Sequence, residues 1–315
     1  MALRIGVLMD DIVTIKPCKD TTLALMLAAQ ARGHVLYYFQ QGDLWVETGE
    51  VKTSLQSICL SDHAENYYQL GEIETMRLAD LDAILMRKDP PFDMEYIQTT
   101  YFLEMAEQQG TLIVNPPQAL RTVNEKFFIS YFPELTPKTL ISRNINRIKA
   151  FIEDVGTAVV KPMDGMGGRG IFKVNKDDSN TNSILEALGN GQATVMVQAY
   201  LNAVVEGDKR ILLVDGKAPQ NGLVRLPQGR DFRANLAAGG LGVVQALTAR
   251  EKWLCEQVGP TLKKQGLLFV GLDVIGGYLT EINVTSPTCV REIEAVSDER
   301  IAEHLMTVIE ARQQI

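Results

Sequence analysis

Two aliphatic runs, residues 271–275 and 278–284, flank the pair Gly276-Gly277, and no other pattern in the chain constrains its fold as tightly. Paired glycines accept the positive φ angles of a tight turn, so the runs read as adjacent antiparallel strands. Side chains alternate across a sheet, which puts Glu281 and Asn283 on one face. The face of Asp273, on the first strand, depends on the turn. A strict two-residue turn opposes Ile275 to Tyr278 and hence Asp273 to Thr280, which sends Asp273 and Glu281 to opposite faces. A three-residue loop over 276–278, or an equivalent bulge, sets Asp273 across from Glu281, with Asn283 on the same side. Two carboxylates and an amide oxygen are hard ligands of the kind Mg²⁺ accepts when it also keeps water and phosphate oxygens. An acidic edge facing solvent satisfies the same pattern. If these residues hold a metal, the longer loop or the bulge is required.

Upstream, Ala158-Val159-Val160-Lys161 reads as a strand that ends in lysine and runs into Pro162-Met163-Asp164-Gly165-Met166-Gly167-Gly168. Glycines let backbone N–H groups converge on an anion, and Lys161 adds a point charge. The loop lacks the Gly-Lys-Ser/Thr of a Walker motif, and a plain turn has the same composition. Asp208 and Arg210 lie two apart in the strand-like run 208–214 and share a face. An ion pair on an edge strand has that appearance, but Arg210 also suits a phosphoryl group in transfer, with Arg225 next in line. Residues 225–242 are too long and glycine-rich for an ordinary turn and read as a lid, in which Arg233 and Asn235 are candidate contacts.

The rest of the chain reads as α/β. A buried strand over 3–9, a helix over 21–32 closed by Gly33 and a strand over 35–39 form a βαβ start. A hairpin over 44–55 about Gly49 follows, then strands at 82–87 and 111–114 around a helix over 94–109. Met9-Asp10-Asp11-Ile12 stands where a dinucleotide fold carries its glycine fingerprint, so a dehydrogenase reading is poor. Pro116-Pro117 marks the exit from this first domain. A smaller unit follows, with strands near 136–141, 158–161, 171–174 and 195–201 and helices near 147–154 and 182–189. A terminal helix spans 299–312.

At 315 residues the chain is long enough for two or three domains, and 46% hydrophobic with 22% charged residues argues against disorder. A net charge of −8 disfavours nucleic acid as a partner. No apolar run is long enough to span a membrane and the N-terminus lacks a signal peptide, so a cytoplasmic location is expected. Cys18, Cys59, Cys255 and Cys289 show no disulfide or zinc spacing and read as reduced, with Cys289 close to the metal-strand candidate. Three scattered histidines form no triad.

In order along the chain, Arg87-Lys88-Asp89-Pro90-Pro91-Phe92-Asp93, Asn124-Glu125-Lys126, the 161–168 loop, Asp208-Lys209-Arg210, the 225–242 segment, residues 280–287 and Arg291-Glu292-Ile293-Glu294 resemble the ATP-grasp superfamily. Within it they are closest to the bacterial glutathione synthetase family, over nearly the whole chain. Three positions depart from that pattern: Asp11, Arg169-Gly170 and Arg230-Asp231-Phe232. The resemblance implies an N-terminal α/β domain followed by a two-part ATP-grasp fold, with boundaries at 1–122, 123–201 (lid) and 202–315 (catalytic). It implies an ATP-dependent ligase that joins γ-glutamylcysteine and glycine through an acyl phosphate, in a homotetramer or homodimer. Lys126, Lys161, Gly165, Gly167, Gly168, Gln198, Tyr200, Leu201 and Asp208 would then hold ATP. Arg210, Arg225 and Arg233 would act in catalysis. Asp273, Glu281 and Asn283 would hold Mg²⁺, or Mn²⁺, and Asn283, Ser286, Thr288 and Arg291 would meet substrate. Another carboxylate–amine ligase of the superfamily and a non-catalytic ATP-binding regulator are the competing readings.

Overall fold

The computed structural model describes residues 2–165, 167–229, 233, 234, 236 and 239–313. Arg230-Asp231-Phe232 and Asn235, singled out above, lie outside the described residues. Three sheets follow one another along the chain. The first holds β1 (Arg4–Leu8), β2 (Val35–Phe39), β3 (Leu44–Glu47), β4 (Glu50–Leu60), β5 (Tyr68–Arg77), β6 (Ala83–Met86) and β7 (Leu112–Val114), in the order β3-β4-β2-β1-β6-β7 with β5 on β4. Strands β2, β1, β6 and β7 pair in parallel, and their continuous apolar runs are buried as such strands require. Helices α1 (Thr21–Ala31) and α2 (Met94–Glu107) make crossovers. The Asp20 carboxylate accepts the Leu23 N–H at 2.7 Å and starts α1, and Gly33 at φ +80 closes it.

Two expectations need correction here. The hairpin about Gly49 extends through Leu60 and gains β5, whose largely exposed polar residues give no period-2 apolar signal. Pro116-Pro117 does not simply extend the chain: Pro117 opens α3 (Pro117–Thr122), at a helix position where a missing N–H costs nothing.

The second sheet is antiparallel, ordered β10-β9-β11-β8 from β8 (Thr139–Ser142), β9 (Thr157–Pro162), β10 (Phe172–Asn175) and β11 (Val195–Ala199). Helices α4 (Ile145–Val155) and α5 (Thr181–Ala187) cover it through Ile148, Ile152 and Leu185, which pack on Val160, Val174 and Val197. The third sheet is also antiparallel, ordered β14-β13-β12-β15-β16 from β12 (Asp208–Val214), β13 (Asn221–Leu226), β14 (Leu241–Ala246), β15 (Phe269–Ile275) and β16 (Tyr278–Asn283). Helix α6 (Ala249–Lys264), which the sequence reading did not identify, starts at a capping box between Thr248 and Glu251. Short α7 (Val290–Glu294) and terminal α8 (Ile301–Gln313) complete the chain.

The hairpin resolves the parity problem by a bulge. Ile275 opposes Tyr278 and Val274 opposes Leu279 across a two-residue turn, with Gly276 and Gly277 at φ +57 and +77. The register then shifts by one, so that Asp273 opposes Glu281 and Gly271 opposes Asn283. Thr280 is the extra residue, and its hydroxyl donates to the Asp273 carbonyl at 3.1 Å.

Candidate active site

A cavity of about 700 Å³ lies where the three sheets meet. The second sheet contributes Val159, Lys161, Gln198 and the loop glycines Gly165, Gly167 and Gly168, with Tyr200 and Leu201 just beyond β11. Gly167 and Gly168 sit at φ +61 and +81, backbone that only glycine adopts readily. Lys126 is 3% exposed, and its Nζ donates to the Gly165 carbonyl at 2.6 Å. Lys161 Nζ stands 3.6 Å from Glu281 Oε1. Two lysines from different segments thus converge on one glycine loop, with a neutral carbonyl as the partner of one of them. Gln198 donates to Thr139 Oγ1 at 3.3 Å, and Lys173 Nζ lies 3.7 Å above the Tyr200 ring.

The third sheet contributes four charges locked to one another. Register places Asp208 opposite Arg225 and Arg210 opposite Asp273, two rungs apart and therefore on one face. Arg210 Nε and Nη2 reach Asp273 Oδ1 and Oδ2 at 2.6 and 3.1 Å. Arg225 Nη2 bridges Asp208 Oδ2 at 2.6 Å and Asp273 Oδ2 at 3.0 Å. Lys209, between them in sequence, points to the other face and pairs with Glu251 of α6 at 2.8 Å. The strand is central, so the edge-strand ion pair allowed for in the sequence is instead an interior cross-strand quartet. Burial pushes all four groups toward neutrality, but the two guanidiniums more than offset it at Asp273 and hold that carboxyl below the usual range. At Asp208 burial wins over Arg225, with the Asp273 charge adding to it, and the carboxyl is pushed up to about 6. Asp273 is the anion shared by both arginines, and Asp208 is the one that takes up a proton first.

Asp273, Glu281 and Asn283 line the same cavity. Asn283 Nδ2 donates to the Gly271 carbonyl at 3.2 Å, which leaves its Oδ1 as the free ligand atom. Asp273 Oδ1 accepts one guanidinium bond and keeps acceptor capacity. Glu125 holds this strand in place, its Oε1 accepting the N–H groups of Val284 and Thr285 at 2.9 and 3.0 Å. Ser286 and Thr288 also line the cavity, whereas Arg291 does not: its guanidinium bonds Asp62 at 2.5 Å. Arg233 lines the cavity and donates to the Gly168 carbonyl of the glycine loop at 3.0 Å. Cys289 lies beside the quartet at φ +94, its thiol pushed up by burial. Sequence reasoning gave no role to Arg87, Asp20 or Glu292, all of which line the cavity from the first sheet, α1 and α7. Arg87 and Glu292 stand within the motifs that carry the family resemblance, and Arg87 is also a charge at the end of an apolar strand; Asp20 carries no such signal.

Residues 3–121 match the N-terminal domain of prokaryotic glutathione synthetase, and residues 125–298 match its ATP-grasp domain. The chain belongs to the prokaryotic glutathione synthetase family. Glutathione synthetase of Pseudomonas putida is 49% identical over 313 residues, covering 99% of each chain. That of Escherichia coli K12 is 49% identical over the same length and coverage. Among solved structures, a D-cycloserine synthetase superposes with a TM-score of 0.68 at 14% identity, covering 98% of this chain and 99% of its own. D-alanyl-alanine synthetase A from Vibrio cholerae gives 0.62 at 13% identity, covering 100% and 99%. These structural likenesses show a shared fold alone; the ATP-grasp assignment of this glutathione synthetase family member rests on the domain matched over residues 125–298.

Proposed function

We propose that the chain makes glutathione from γ-glutamylcysteine and glycine with conversion of ATP to ADP and phosphate. One observation carries the reading: two lysines and a glycine loop face Glu281, Asn283 and the Arg210–Asp273 pair across one cavity that the N-terminal domain closes. Val159, Ile171, Val204 and Ile275 form apolar walls for adenine. The Ala199 and Tyr200 N–H groups bond Lys138 and Thr157 carbonyls, so Leu201 is the next donor available to the base. Lys126, Lys161 and the N–H groups of Gly165, Gly167 and Gly168 hold the phosphates.

The donors on β15 and β16 fit Mg²⁺ or Mn²⁺. Asp273, Glu281 and Asn283 supply hard oxygens from one face, and no three acidic, histidine or cysteine residues form a closed cage among the described residues. Such an open set suits an ion that shares its shell with phosphate. Bound there, the ion would neutralise phosphate charge as the phosphoryl group transfers.

The cysteinyl carboxylate attacks the γ-phosphorus, forming an acyl phosphate and releasing ADP. Glycine's amine then attacks the acyl carbon, phosphate leaves, and the amine proton departs to solvent. Arg210 and Arg225, kept cationic by Asp273 and Asp208, stabilise charge on the transferring group. Arg233 and the segment around it exclude water, which would otherwise hydrolyse the acyl phosphate. No side-chain nucleophile is needed. The boundaries 1–122, 123–201 and 202–315, a cytoplasmic location and a homodimer or homotetramer belong to the same proposal and rest on the family resemblance. Phosphate release should require ATP, divalent metal, γ-glutamylcysteine and glycine together. Equal release with the peptide omitted would refute the reading.

A further inference from the structure

Strand β16, which carries two of the metal donors, is the last of its sheet, and a segment that precedes the second sheet covers its open edge. The N–H groups of Leu279 and Ile282 leave β16 on that side and donate to the Leu135 and Glu125 carbonyls at 2.8 and 2.9 Å. Just past the strand end, Glu125 Oε1 accepts three more donors: the Val284 and Thr285 N–H groups at 2.9 and 3.0 Å and the Thr285 hydroxyl at 2.8 Å. One residue therefore grips the chain on both sides of Asn283, by its carbonyl at 282 and by its side chain at 284 and 285. Covering an edge needs only backbone bonds of the Leu135 kind. A carboxylate that takes three donors on one oxygen holds more firmly, since bonds to an ionised group are about twice as strong as neutral ones.

The two neighbours of Glu125 reach the other way. Asn124 Nδ2 donates to the Met163 carbonyl at 3.3 Å, and its Oδ1 accepts the Lys126 and Phe127 N–H groups at 3.1 and 2.9 Å. Lys126 Nζ donates to the Gly165 carbonyl at 2.6 Å. Three consecutive residues, with Cα atoms about 3.8 Å apart, thus tie the glycine loop to the metal strand. A metal that bridges phosphate oxygens and the donors of β16 needs that spacing fixed. Mg²⁺ needs it most, because it demands near-ideal octahedral bonds of about 2.0–2.1 Å. We infer that Glu125 is a positioning residue for the metal: it holds Glu281 and Asn283 at the distance from the Lys126-bearing loop at which one ion reaches both phosphate and strand. The inference rests on the ATP and metal reading proposed above.

The test is a binding cycle with a non-hydrolysable ATP analogue, titrated by calorimetry in Mg²⁺ and again in EDTA. The ratio of the two dissociation constants is the gain that the metal supplies. Glu125→Ala should cut that gain about tenfold or more, as loss of a group that orients a metal ligand does, while Kd in EDTA stays within about threefold. Turnover should split in the same way, with kcat down about 10- to 100-fold and KM for γ-glutamylcysteine and glycine within about threefold of the parent. Glu125→Gln should recover the gain to within about threefold of the parent, because its amide oxygen accepts the same three donors. Glu125→Asp is one methylene too short to reach them and should lose the gain as Ala does. It keeps the backbone bond to Ile282 and carries the test if Glu125→Ala does not fold. A gain left intact in Glu125→Asp, whatever happens to Tm, would make Glu125 a residue of the fold only and overturn the inference, as would a Glu125→Gln variant that recovers nothing. A parent that binds the analogue equally in Mg²⁺ and in EDTA would instead overturn the metal reading itself.

Discussion

At the scale of single residues, the site is a balance of charges rather than an array of nucleophiles. Glu281 and Asn283 share a face of β16, where Glu281 stands 3.6 Å from Lys161 Nζ and Asn283 bonds the Gly271 carbonyl. Replacing either by Ala should lower kcat about 100-fold or more, because their effect is largest as phosphoryl charge develops. KM for the peptide should stay within about threefold. Near-normal kcat at saturating Mg²⁺ in both variants would remove the metal assignment. Asp208 gives a pH signature. Its carboxyl rises from 3.8 to about 6 on folding, so the folded state binds this proton more tightly. The corresponding stability is complete below 3.8 and is lost as pH rises through about 6. Asp273, shifted the opposite way, contributes stability above 3.8 and loses it only in stronger acid. In ligand-free protein, Asp208→Asn should match the parent's Tm near pH 4 and gain on it as pH approaches about 7. A gap that stays constant across that range would contradict the shift.

At the scale of elements, two devices place the chemistry. The first is the bulge at Thr280, which lets a two-residue glycine turn coexist with Asp273 facing Glu281. The second is the connection between β13 and β14. Its described residues include Gly229 and Gly239 at φ +66 and +95, where a built Cβ would meet nothing within 4 Å among the described residues, and Arg233, which reaches the Gly168 carbonyl. If the glycine loop holds phosphate as proposed, an arginine bonded to it should respond to nucleotide. Trypsin cleavage within 227–240 should slow about tenfold or more with ATP, Mg²⁺ and γ-glutamylcysteine present, and the nicked protein should lose ligase activity. Equal cleavage rates with and without ligands, read by mass spectrometry of the fragments, would count against closure.

At the scale of the whole molecule, the first and third sheets work as one body because buried polar side chains join them. Asn115, at the end of β7, donates to the Phe269 and Val284 carbonyls at 2.8 Å and accepts the Leu268 and Phe269 N–H groups at 2.8 and 3.0 Å. Asn115→Ala strands four buried backbone groups, which should cost about 3 kcal/mol and lower Tm by about 5 °C. Activity should fall as well, since the same bonds set β15 and β16 against the N-terminal wall. An unchanged Tm measured by calorimetry would show that water replaces the amide. At the C-terminal end, Arg32 and His34 meet Glu310 of α8 at 2.7 and 3.0 Å, so the last helix is tied to the first.

The sequence by itself determined the parts whose signal is local. Apolar runs and caps marked β1, α1, β2 and α2, and the Lys161-to-Gly168 loop and the Gly276-Gly277 turn were legible because lysine, glycine and alternation carry their chemistry in adjacent residues. Strand β5 and helix α6 were not legible. The first is polar and exposed, and the second packs an apolar stripe interrupted by Pro260. Tertiary structure alone decided the pairings. Parity left Asp273 undetermined until the bulge chose its face, and nothing within the run 208–214 announces that Arg210 belongs to Asp273 and Asp208 to Arg225. The meeting of Arg87, Asp20 and Glu292 is equally invisible, because three sequence-distant segments converge there and each charge alone looks like a surface residue. Burial of such charges is a property of the assembled sheets and not of any stretch of chain.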